Sequence, residues 1–414
     1  MVLRIVTLPG YGAVDLLKNW TAPTPPSTTH VPAASFAYGP INAAQLTIGT
    51  VTQRTYRMDH TALASGSGLR LRYANTYSNP ITVSAGVEAT LGATPVEVTF
   101  GGATSVSIPA HGQVLSDVVT GVSLTSGSKF ASRSCVTVTS GQKWMIGERN
   151  FLGPNKGGAL DGDFHATGTI ADSAEYGFGP VELALDTVTS TTPKSVALVM
   201  DSFGGTWPVT AFEGTYPTAF LSRNGEAAFT FLNSTGAWGS ASARTSEVYA
   251  CLPDYHNVLE GYGTNDRSSN RTAAQIKADR LTIWQGIVNA VPTMRIIATT
   301  MAPRTTSTDS WATTANQTPI AGESDRLDVN AWIRAGAPID PTAKTWVAVG
   351  TAGALVAGQA GHPLYGYFEL ADQVESARDS GVWAVGMTTD GIHPNTTTSK
   401  NALAAAFPYA NLAA

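Results

Sequence analysis

The chain has 414 residues, long enough for two domains, and only 13% of them are charged. Its formal net charge of -5 at pH 7 gives no electrostatic basis for binding nucleic acid or an anionic membrane surface. No segment approaches the run of about 20 apolar residues that a membrane-spanning helix needs.

The composition and the first residues bear on where the protein is found. Gly, Ala, Thr and Ser are abundant, which is typical of an exposed or extracellular β-rich protein. Residues 1–10 lack the basic segment and following apolar stretch of a secretory signal. We therefore expect an extracellular or secreted protein with no signal peptide visible in this chain, and incorporation into a virion tail is one route that would need none.

The two cysteines, Cys135 and Cys251, show no CxxC spacing and have no histidines at metal-ligand intervals. Zinc is therefore not expected. A disulfide between them remains open, but two buried free thiols are favoured.

Residues 1–190 carry short runs that alternate between apolar and polar residues. Turn-forming Gly, Asn, Pro and Ser recur roughly every ten residues, the spacing of an antiparallel sandwich or jelly roll. The segment 153–179 is rich in Gly and Asp and predicts long loops. We expect an N-terminal β-sandwich domain over residues 1–190. Its strand candidates are residues 69–73, 81–87, 96–100, 136–138 and 181–185.

The pattern changes after residue 190. Residues 195–200 form a nearly continuous apolar run, which is typical of a strand buried on both faces of a parallel sheet. Such strands alternate with helical patterns, which predicts a doubly wound α/β domain over residues 191–414 with its functional groups at the carboxyl ends of the strands. The further strand candidates are residues 228–232, 257–262, 294–299 and 346–349, and the helix candidates are 273–291, 324–336 and 398–407.

Two motifs in this half contain the groups of a nucleophilic hydrolase. Met200-Asp201-Ser202 ends the first strand, and Asp390-Gly391-Ile392-His393 lies near the C-terminus. A serine hydroxyl needs a base to accept its proton as it attacks, and histidine serves because its ordinary pKa lies near neutral pH. Asp390 is placed three residues before His393 and could orient its imidazole. As isolated residues, Ser202 could instead be a helix N-cap, and His393 an ordinary loop residue.

Donors for an oxyanion follow the next two strands. Asn265, in Gly263-Thr264-Asn265-Asp266, has a side-chain amide that could donate to an oxyanion, although turn residues of this type are common. Gly239, or alternatively Gly236, would let a backbone N–H approach the substrate closely. With the Ser202 N–H these groups would make a three-donor oxyanion hole. Asp266 is expected to support the loop.

The chain here resembles the SGNH (GDSL-type) hydrolase family, over residues from about 194 to 410. Its four blocks occur in order: Met200-Asp201-Ser202, Gly239, Gly263-Thr264-Asn265-Asp266 and Asp390-Gly391-Ile392-His393. Met200 replaces the usual glycine of the first block, which changes the turn before the nucleophile and removes no catalytic group. Each block alone is weak, whereas all four in order make a strong signal.

The resemblance implies a carboxylic ester hydrolase that works through an acyl-enzyme, with Ser202, His393 and Asp390 as catalytic residues and no cofactor or metal. With a β-sandwich before it, the domain resembles carbohydrate esterases, so an acetylated glycan is the expected substrate. Trp238 and Thr264 are the candidates for substrate binding, and a packed structural role for Trp238 stays open. The alternatives are a generalist short-chain ester or lipid hydrolase and a non-catalytic glycan-binding adhesin. The oligomeric state is left undetermined.

Overall fold

The computed structural model describes residues 30–34, 37–38, 51–75, 77–144, 146, 157–171, 177–203, 227–231 and 252–413. The protein is a mixed α/β chain, as predicted. In chain order the strands of the first half are β1 (Val31–Pro32), β2 (Ala37–Tyr38), β3 (Gln53–Thr61), β4 (Gly66–Ala74), β5 (Ile81–Glu88), β6 (Val96–Val98), β7 (Ser105–Ile108), β8 (Gln113–Leu115), β9 (Ser123–Leu124), β10 (Lys129–Thr137), β11 (Gly157–Asp161) and β12 (Glu182–Val188).

These strands, apart from β2, form two antiparallel sheets. One contains β1, β12, β4, β8 and β9, and the other contains β11, β3, β10, β5, β6 and β7. Both sheets contribute to one hydrophobic cluster, in which Leu71 and Tyr73 of β4 meet Val83 of β5 and Val136 of β10. Leu71 and Tyr73 are two residues apart and so lie on the same face of their strand. Period-two alternation therefore delivers the apolar side chains of both sheets to one core.

The second half contains β13 (Lys194–Met200), β14 (Ala227–Phe231), β15 (Asn257–Gly261), β16 (Arg295–Thr299), β17 (Thr305–Ser307), β18 (Gln317–Pro319) and β19 (Leu364–Phe368). Its helices are α1 (Thr264–Ser268), α2 (Ala273–Ala290), α3 (Glu323–Arg334), α4 (Ala371–Val374) and α5 (Thr397–Ala406), with a 3₁₀ turn at Tyr409–Asn411. β17 and β18 form a separate antiparallel pair.

A six-stranded parallel sheet is the centre of this half. Its strand order is β19-β16-β15-β13-β14-β2, and every neighbouring pair is parallel. β13 lies between β14 and β15, so the chain leaves β13 in one direction along the sheet and later returns to its other side. In such sheets the crevice at this reversal, at the carboxyl ends of the strands, is where ligands bind.

Helices pack on both faces of the parallel sheet. On one face, Val199 and Val258 share a cluster with Trp284 of α2 and Trp332 of α3, whose rings stack at 5.4 Å. On the other face, Leu198 shares a cluster with Leu403 of α5. Successive residues of β13 thus point to opposite apolar layers, which explains why its sequence is continuously apolar.

Helix α2 is held by its cap and by a buried ion pair. Thr272 and Gln275 form a reciprocal capping box at its N-terminus. Farther along, Arg280 Nη2 lies 2.7 Å from Glu260 Oε2, and both side chains are fully buried. Since Glu260 belongs to β15, this pair fastens the helix directly behind the strand that leads to Asn265.

Three sequence predictions differ from the structure. Residues 346–349 are not a strand, and the outer strand of the parallel sheet is β19, which the sequence did not indicate. β11 lies within the predicted loops, where it pairs antiparallel with β3. β2 comes from the first half but joins the parallel sheet beside β14. Strand identity here follows from backbone partners that are distant in sequence.

The two halves also meet through buried side chains. Arg72 of β4 lies 2.9 Å from Asp254 Oδ2 and 3.2 Å from Glu182 Oε2. Met58 of β3 belongs to the same apolar cluster as Leu198 of the parallel sheet. The two halves that the sequence predicts as domains, 1–190 and 191–414, therefore share an interface with both ionic and apolar contacts.

Two further sequence expectations concern the cysteines and the membrane. Cys135 of β10 is a buried free thiol, whose pKa is raised by burial to about 11, while Cys251 lies outside the described residues. Across the described ranges, no helix combines the length and the apolar character needed to cross a bilayer.

Candidate active site

Ser202 lies just beyond the carboxyl end of β13 and is buried. Because Met200 is in register with Gly261 of β15, the residues that follow the two strands emerge at the same edge of the sheet. Gly263 has a φ of 129°, and a Cβ there would lie 2.7 Å from the sulfur of Met301. Glycine at this turn therefore allows α1 to start close to the strand end, beside the nucleophile segment.

Ser202, His393 and Asp390 form one continuous hydrogen-bonded chain. Ser202 Oγ lies 2.8 Å from His393 Nε2, and His393 Nδ1 lies 2.7 Å from Asp390 Oδ2. With the imidazole proton on Nδ1 and directed at Asp390, Nε2 accepts the hydrogen bond of the serine hydroxyl. The structure thus brings together three side chains that are up to 191 positions apart in sequence.

The carboxylate of Asp390 is held in its charged form. Burial opposes its ionisation, but the hydrogen bond and charge of His393 and the backbone N–H groups of His393 and Ile392 lower its pKa to about 2. Both N–H groups reach Asp390 Oδ1 at 2.8 Å. Since Oδ1 is occupied by the backbone, Oδ2 is left to face the imidazole, and the ring orientation is fixed.

The turn between Asp390 and His393 is held by contacts that Gly391 makes with neighbouring segments. Gly391 has a φ of 70°, and an added Cβ would collide with the carbonyl oxygen of Thr305 and the ring of Trp311. Its own carbonyl accepts hydrogen bonds from Thr305 N at 2.9 Å and from Trp383 Nε1 at 3.1 Å. The histidine loop is therefore held in place by the β17–β18 pair and a buried tryptophan.

Asp201 connects the nucleophile segment to Asn265. Its Oδ1 accepts the N–H of Phe203 at 3.0 Å, and its Oδ2 accepts Asn265 Nδ2 at 3.3 Å. Asp201 is fully buried, and burial raises its pKa to about 7, against the opposing effects of the Phe203 N–H and of His393. This carboxyl group orients the amide that the sequence indicated as an oxyanion donor.

The other predicted site residues are placed as follows. Thr264 is buried at the first position of α1, where its carbonyl faces the Arg304 guanidinium. Asp266 is buried beside it, 3.6 Å from Arg271 Nε, in agreement with a supporting role. Gly236, Trp238 and Gly239 lie outside the described residues.

Three residues near the site were not predicted from the sequence to take part. Asp201 is part of the first block, and its position beside the expected nucleophile is a signal that the sequence contains. Arg304 follows β16 by five residues, so its place at the carboxyl edge of a parallel strand was also a signal. Trp383 lies in no recognisable pattern, and only the folded chain places its indole against Gly391.

The arrangement is that of a nucleophile, a base and an orienting carboxylate at the carboxyl edge of a parallel α/β sheet. With such an arrangement, the serine hydroxyl can attack an electron-poor carbonyl carbon without a metal ion in the nucleophilic step. Searched over the residues that the structure describes, no cluster of His, Cys, Asp and Glu side chains forms a metal site.

Comparisons with known proteins give structural similarities only. No protein-family model and no curated protein matches this chain. It is similar to a GDSL-like lipase from Bacteroides thetaiotaomicron, with 14% identity over 52% of this chain and 87% of that one and a TM-score of 0.36. A carbohydrate acetylesterase from Sinorhizobium meliloti matches with 14% identity over 51% and 95%, at 0.35. A family two carbohydrate esterase from Clostridium thermocellum matches with 12% identity over 87% and 91%, at 0.33. At such scores these similarities assign neither a family nor an activity.

Proposed function

We propose that this chain is a serine esterase of the SGNH type, which hydrolyses carboxylic esters through an acyl-enzyme. The observation that carries the proposal is the chain of hydrogen bonds from Ser202 Oγ through the His393 imidazole to Asp390. The order of the four sequence blocks agrees with it. In this proposal residues 191–414 form a doubly wound catalytic domain, and residues 1–190 form a β-sandwich accessory domain.

In the acylation step, Ser202 Oγ attacks the ester carbonyl while His393 Nε2 takes the hydroxyl proton. Asp390 stabilises the imidazolium that results and keeps its tautomer. The tetrahedral oxyanion accepts hydrogen bonds from the Ser202 N–H, from Asn265 and from the N–H of Gly239, with Gly236 as the alternative. Collapse of the intermediate breaks the bond to the alcohol oxygen, which leaves with the proton from His393.

Deacylation repeats the same chemistry with water. His393 Nε2 takes a proton from the water as it attacks the acyl carbon, and the second tetrahedral intermediate releases the acid and restores the Ser202 hydroxyl. No external oxidant, reductant or cofactor enters this sequence of steps.

We further propose that the ester is an O-acetyl group on a carbohydrate and that the protein is secreted or exposed. The resemblance of the four blocks to SGNH hydrolases, joined to a β-rich first half, supports this substrate class. Trp238 and Thr264 stay the proposed substrate contacts, and Thr264 is buried at the first position of α1.

The test is release of acetate from a panel of acetylated glycans, measured beside p-nitrophenyl esters of increasing chain length. We expect acetyl esters to be hydrolysed and Ser202→Ala to abolish the activity. Ser376→Ala is a matched control, since this serine is exposed and its hydroxyl bonds to Ser380 and not to a residue of the triad.

Each alternative gives a different result in the same panel. Comparable rates on butyrate and longer esters, with no preference for sugars, would indicate a generalist ester or lipid hydrolase. Glycan binding without hydrolysis of any ester by the folded wild-type protein would contradict the esterase and favour an adhesin.

A further inference from the structure

Arg304 lies at the same edge of the sheet as the hydrogen-bonded side chains of Ser202, His393 and Asp390. Its neighbour Thr305 donates a backbone hydrogen bond to Gly391 O at 2.9 Å, inside the turn that carries Asp390 and His393. Its own guanidinium reaches toward the carbonyl of Thr264, the residue before Asn265, at 3.5 Å. The side chain is therefore placed between the oxyanion segment and the histidine loop.

The guanidinium of Arg304 has few protein partners. Within the part of the chain that the structure describes, it forms no ion pair, and its one hydrogen bond is long. Arg267, on the same side of the site, differs: it pairs with Glu323 at 2.9 Å and donates to two backbone carbonyls. A guanidinium has five N–H donors, so Arg304 keeps most of its donor capacity for another molecule.

The surroundings of Arg304 favour a singly charged anion. The side chain is half-buried, and burial lowers its pKa, while the charges of Asp201 and Asp390 act in the opposite direction. A half-buried cation loses part of its hydration, which a charged acceptor can replace. Because the ionised carboxylate of Asp390 and the carboxyl group of Asp201 are near, a dianionic phosphate would be repelled more strongly than a monoanionic carboxylate.

We propose that Arg304 binds a carboxylate on the alcohol part of the substrate, so that the preferred substrate is an O-acetylated acidic glycan of the uronic acid type. A planar guanidinium matches a carboxylate with two parallel hydrogen bonds. Bound there, the sugar would present its acetyl ester to Ser202 and Asn265. This inference rests on the proposed esterase function and narrows its substrate class.

The experiment compares acetylated polygalacturonate with an acetylated xylan free of uronic acid side groups, so that only the first polymer carries carboxylates. We expect the wild-type protein to favour the acidic polymer in kcat/KM, and Arg304→Gln to lower the ratio of acidic to neutral kcat/KM by about 10–100-fold, mainly through KM. Arg378→Gln is the control, since Arg378 is an exposed arginine paired with Asp372. Methyl esterification of the galacturonate should remove the preference of the wild-type protein.

Calorimetric binding of oligogalacturonate to the Ser202→Ala protein tests the same site without turnover. Binding that is lost in Ser202→Ala/Arg304→Gln supports the proposal. Equal affinity for neutral and acidic oligosaccharides, or tighter binding of inorganic phosphate than of oligogalacturonate, would overturn it. A uniform loss in Arg304→Gln on both polymers would also overturn it, because Arg304 would then act on the chemistry or the fold.

Failure of the esterase proposal gives a separate result. In that case neither polymer nor p-nitrophenyl acetate is hydrolysed by the wild-type protein, whatever the binding experiment shows. A protein that hydrolyses p-nitrophenyl acetate and both polymers equally well, with no effect of Arg304→Gln on their ratio, keeps its function and loses only the carboxylate site.

Discussion

Two buried carboxyl groups, one in each half of the molecule, have opposite electrostatic environments. Glu88 of β5 accepts hydrogen bonds from Arg57 and Arg133, at 2.8 to 2.9 Å. Burial opposes its ionisation, but Arg57, the Gly92 N–H and Arg133 lower its pKa overall. Asp201 instead accepts from an amide and a backbone N–H, and burial raises its pKa to about 7. Burial alone does not decide the charge of a carboxyl group; the charge of its donors does.

The comparison distinguishes two regions of the molecule. In the first half, charged side chains are neutralised by oppositely charged protein groups. In the region beside Ser202, charged groups and hydrogen-bond donors remain available to another molecule. In the first half, buried arginines serve to hold strands together. At the carboxyl edge of the parallel sheet, Asp201 has a pKa of about 7, and among the described residues Arg304 has a single, long hydrogen bond from its guanidinium. The predictions below start from the largest expected effect.

The largest effect is expected for the hydrogen-bonded residues Ser202 and His393. Ser202→Ala and His393→Ala should each lower kcat by roughly 10⁴–10⁶, and the double variant should lose little more, because the two residues act as one unit. Single-turnover and steady-state rates on p-nitrophenyl acetate measure this. Losses in the two single variants that multiply in the double variant would contradict a shared mechanism.

Glu88→Gln should destabilise the first half, because Arg57 and Arg133 would lose the charge that neutralises them. Breaking a buried pair costs about 3–5 kcal/mol. The folded pKa of Glu88 is lowered, so its stabilising contribution is complete above the unfolded value of 4.5 and is lost as the pH falls below it. Urea unfolding from pH 3 to pH 7 should show the deficit of the variant shrinking toward low pH.

Asp201→Asn should show the opposite dependence on pH. The folded pKa of about 7 lies above the ordinary 3.8, so the folded wild-type protein holds a proton that the unfolded chain releases between these values. The wild-type protein should therefore lose on the order of 4 kcal/mol relative to the variant as the pH rises from about 4 to about 7. The same urea experiment measures it. A pH-independent difference would mean that Asp201 is ionised throughout.

Asn265→Ala should lower kcat by about 10²–10³ with little change in KM, since the amide acts on charge that develops only in the transition state. This variant removes the amide that Asp201 orients, and leaves the triad intact. Steady-state kinetics on p-nitrophenyl acetate test it. A large rise in KM at unchanged kcat would assign Asn265 to ground-state binding instead.

The smallest effect is expected for two glycine substitutions. Their comparison distinguishes the cost of a positive φ from a steric clash in the turn between Asp390 and His393. Gly391→Ala and Gly386→Ala both place an alanine at positive φ, 70° and 79°, which costs about 1–2 kcal/mol. At Gly386 nothing lies within 4 Å of the added Cβ, whereas at Gly391 it meets Thr305 O and Trp311. We expect Gly391→Ala alone to lower kcat/KM, by about tenfold or more. Equal kinetic losses in both variants would show that the close contact does not position His393.

Much of the fold could be predicted because local sequence patterns indicate many of its strands and helices. The alternating runs of β4 and β5 and the continuous apolar run of β13 indicated strands, and the helical pattern over residues 273–291 indicated a helix that begins at Ala273, as the structure has it. β19 and β11 were missed for the same physical reason. Each is a short edge strand with one backbone partner, and its residues are only partly buried, so its periodicity is weak.

By itself, the amino-acid sequence determined which groups could do chemistry here. Ser202 and Asn265 were recognised from their positions after strands, Asp390 and His393 from their spacing, and all four from the block order of the SGNH resemblance. Only the tertiary structure decided their environment. Sequence spacing contains no information on burial or on partners from other elements, so the raised pKa of Asp201 and the contact of Gly391 with Trp383 were not visible in it. Arg304 gains its place beside the nucleophile because β16 and β15 are neighbours in the parallel sheet, and strand order is a property of the folded chain.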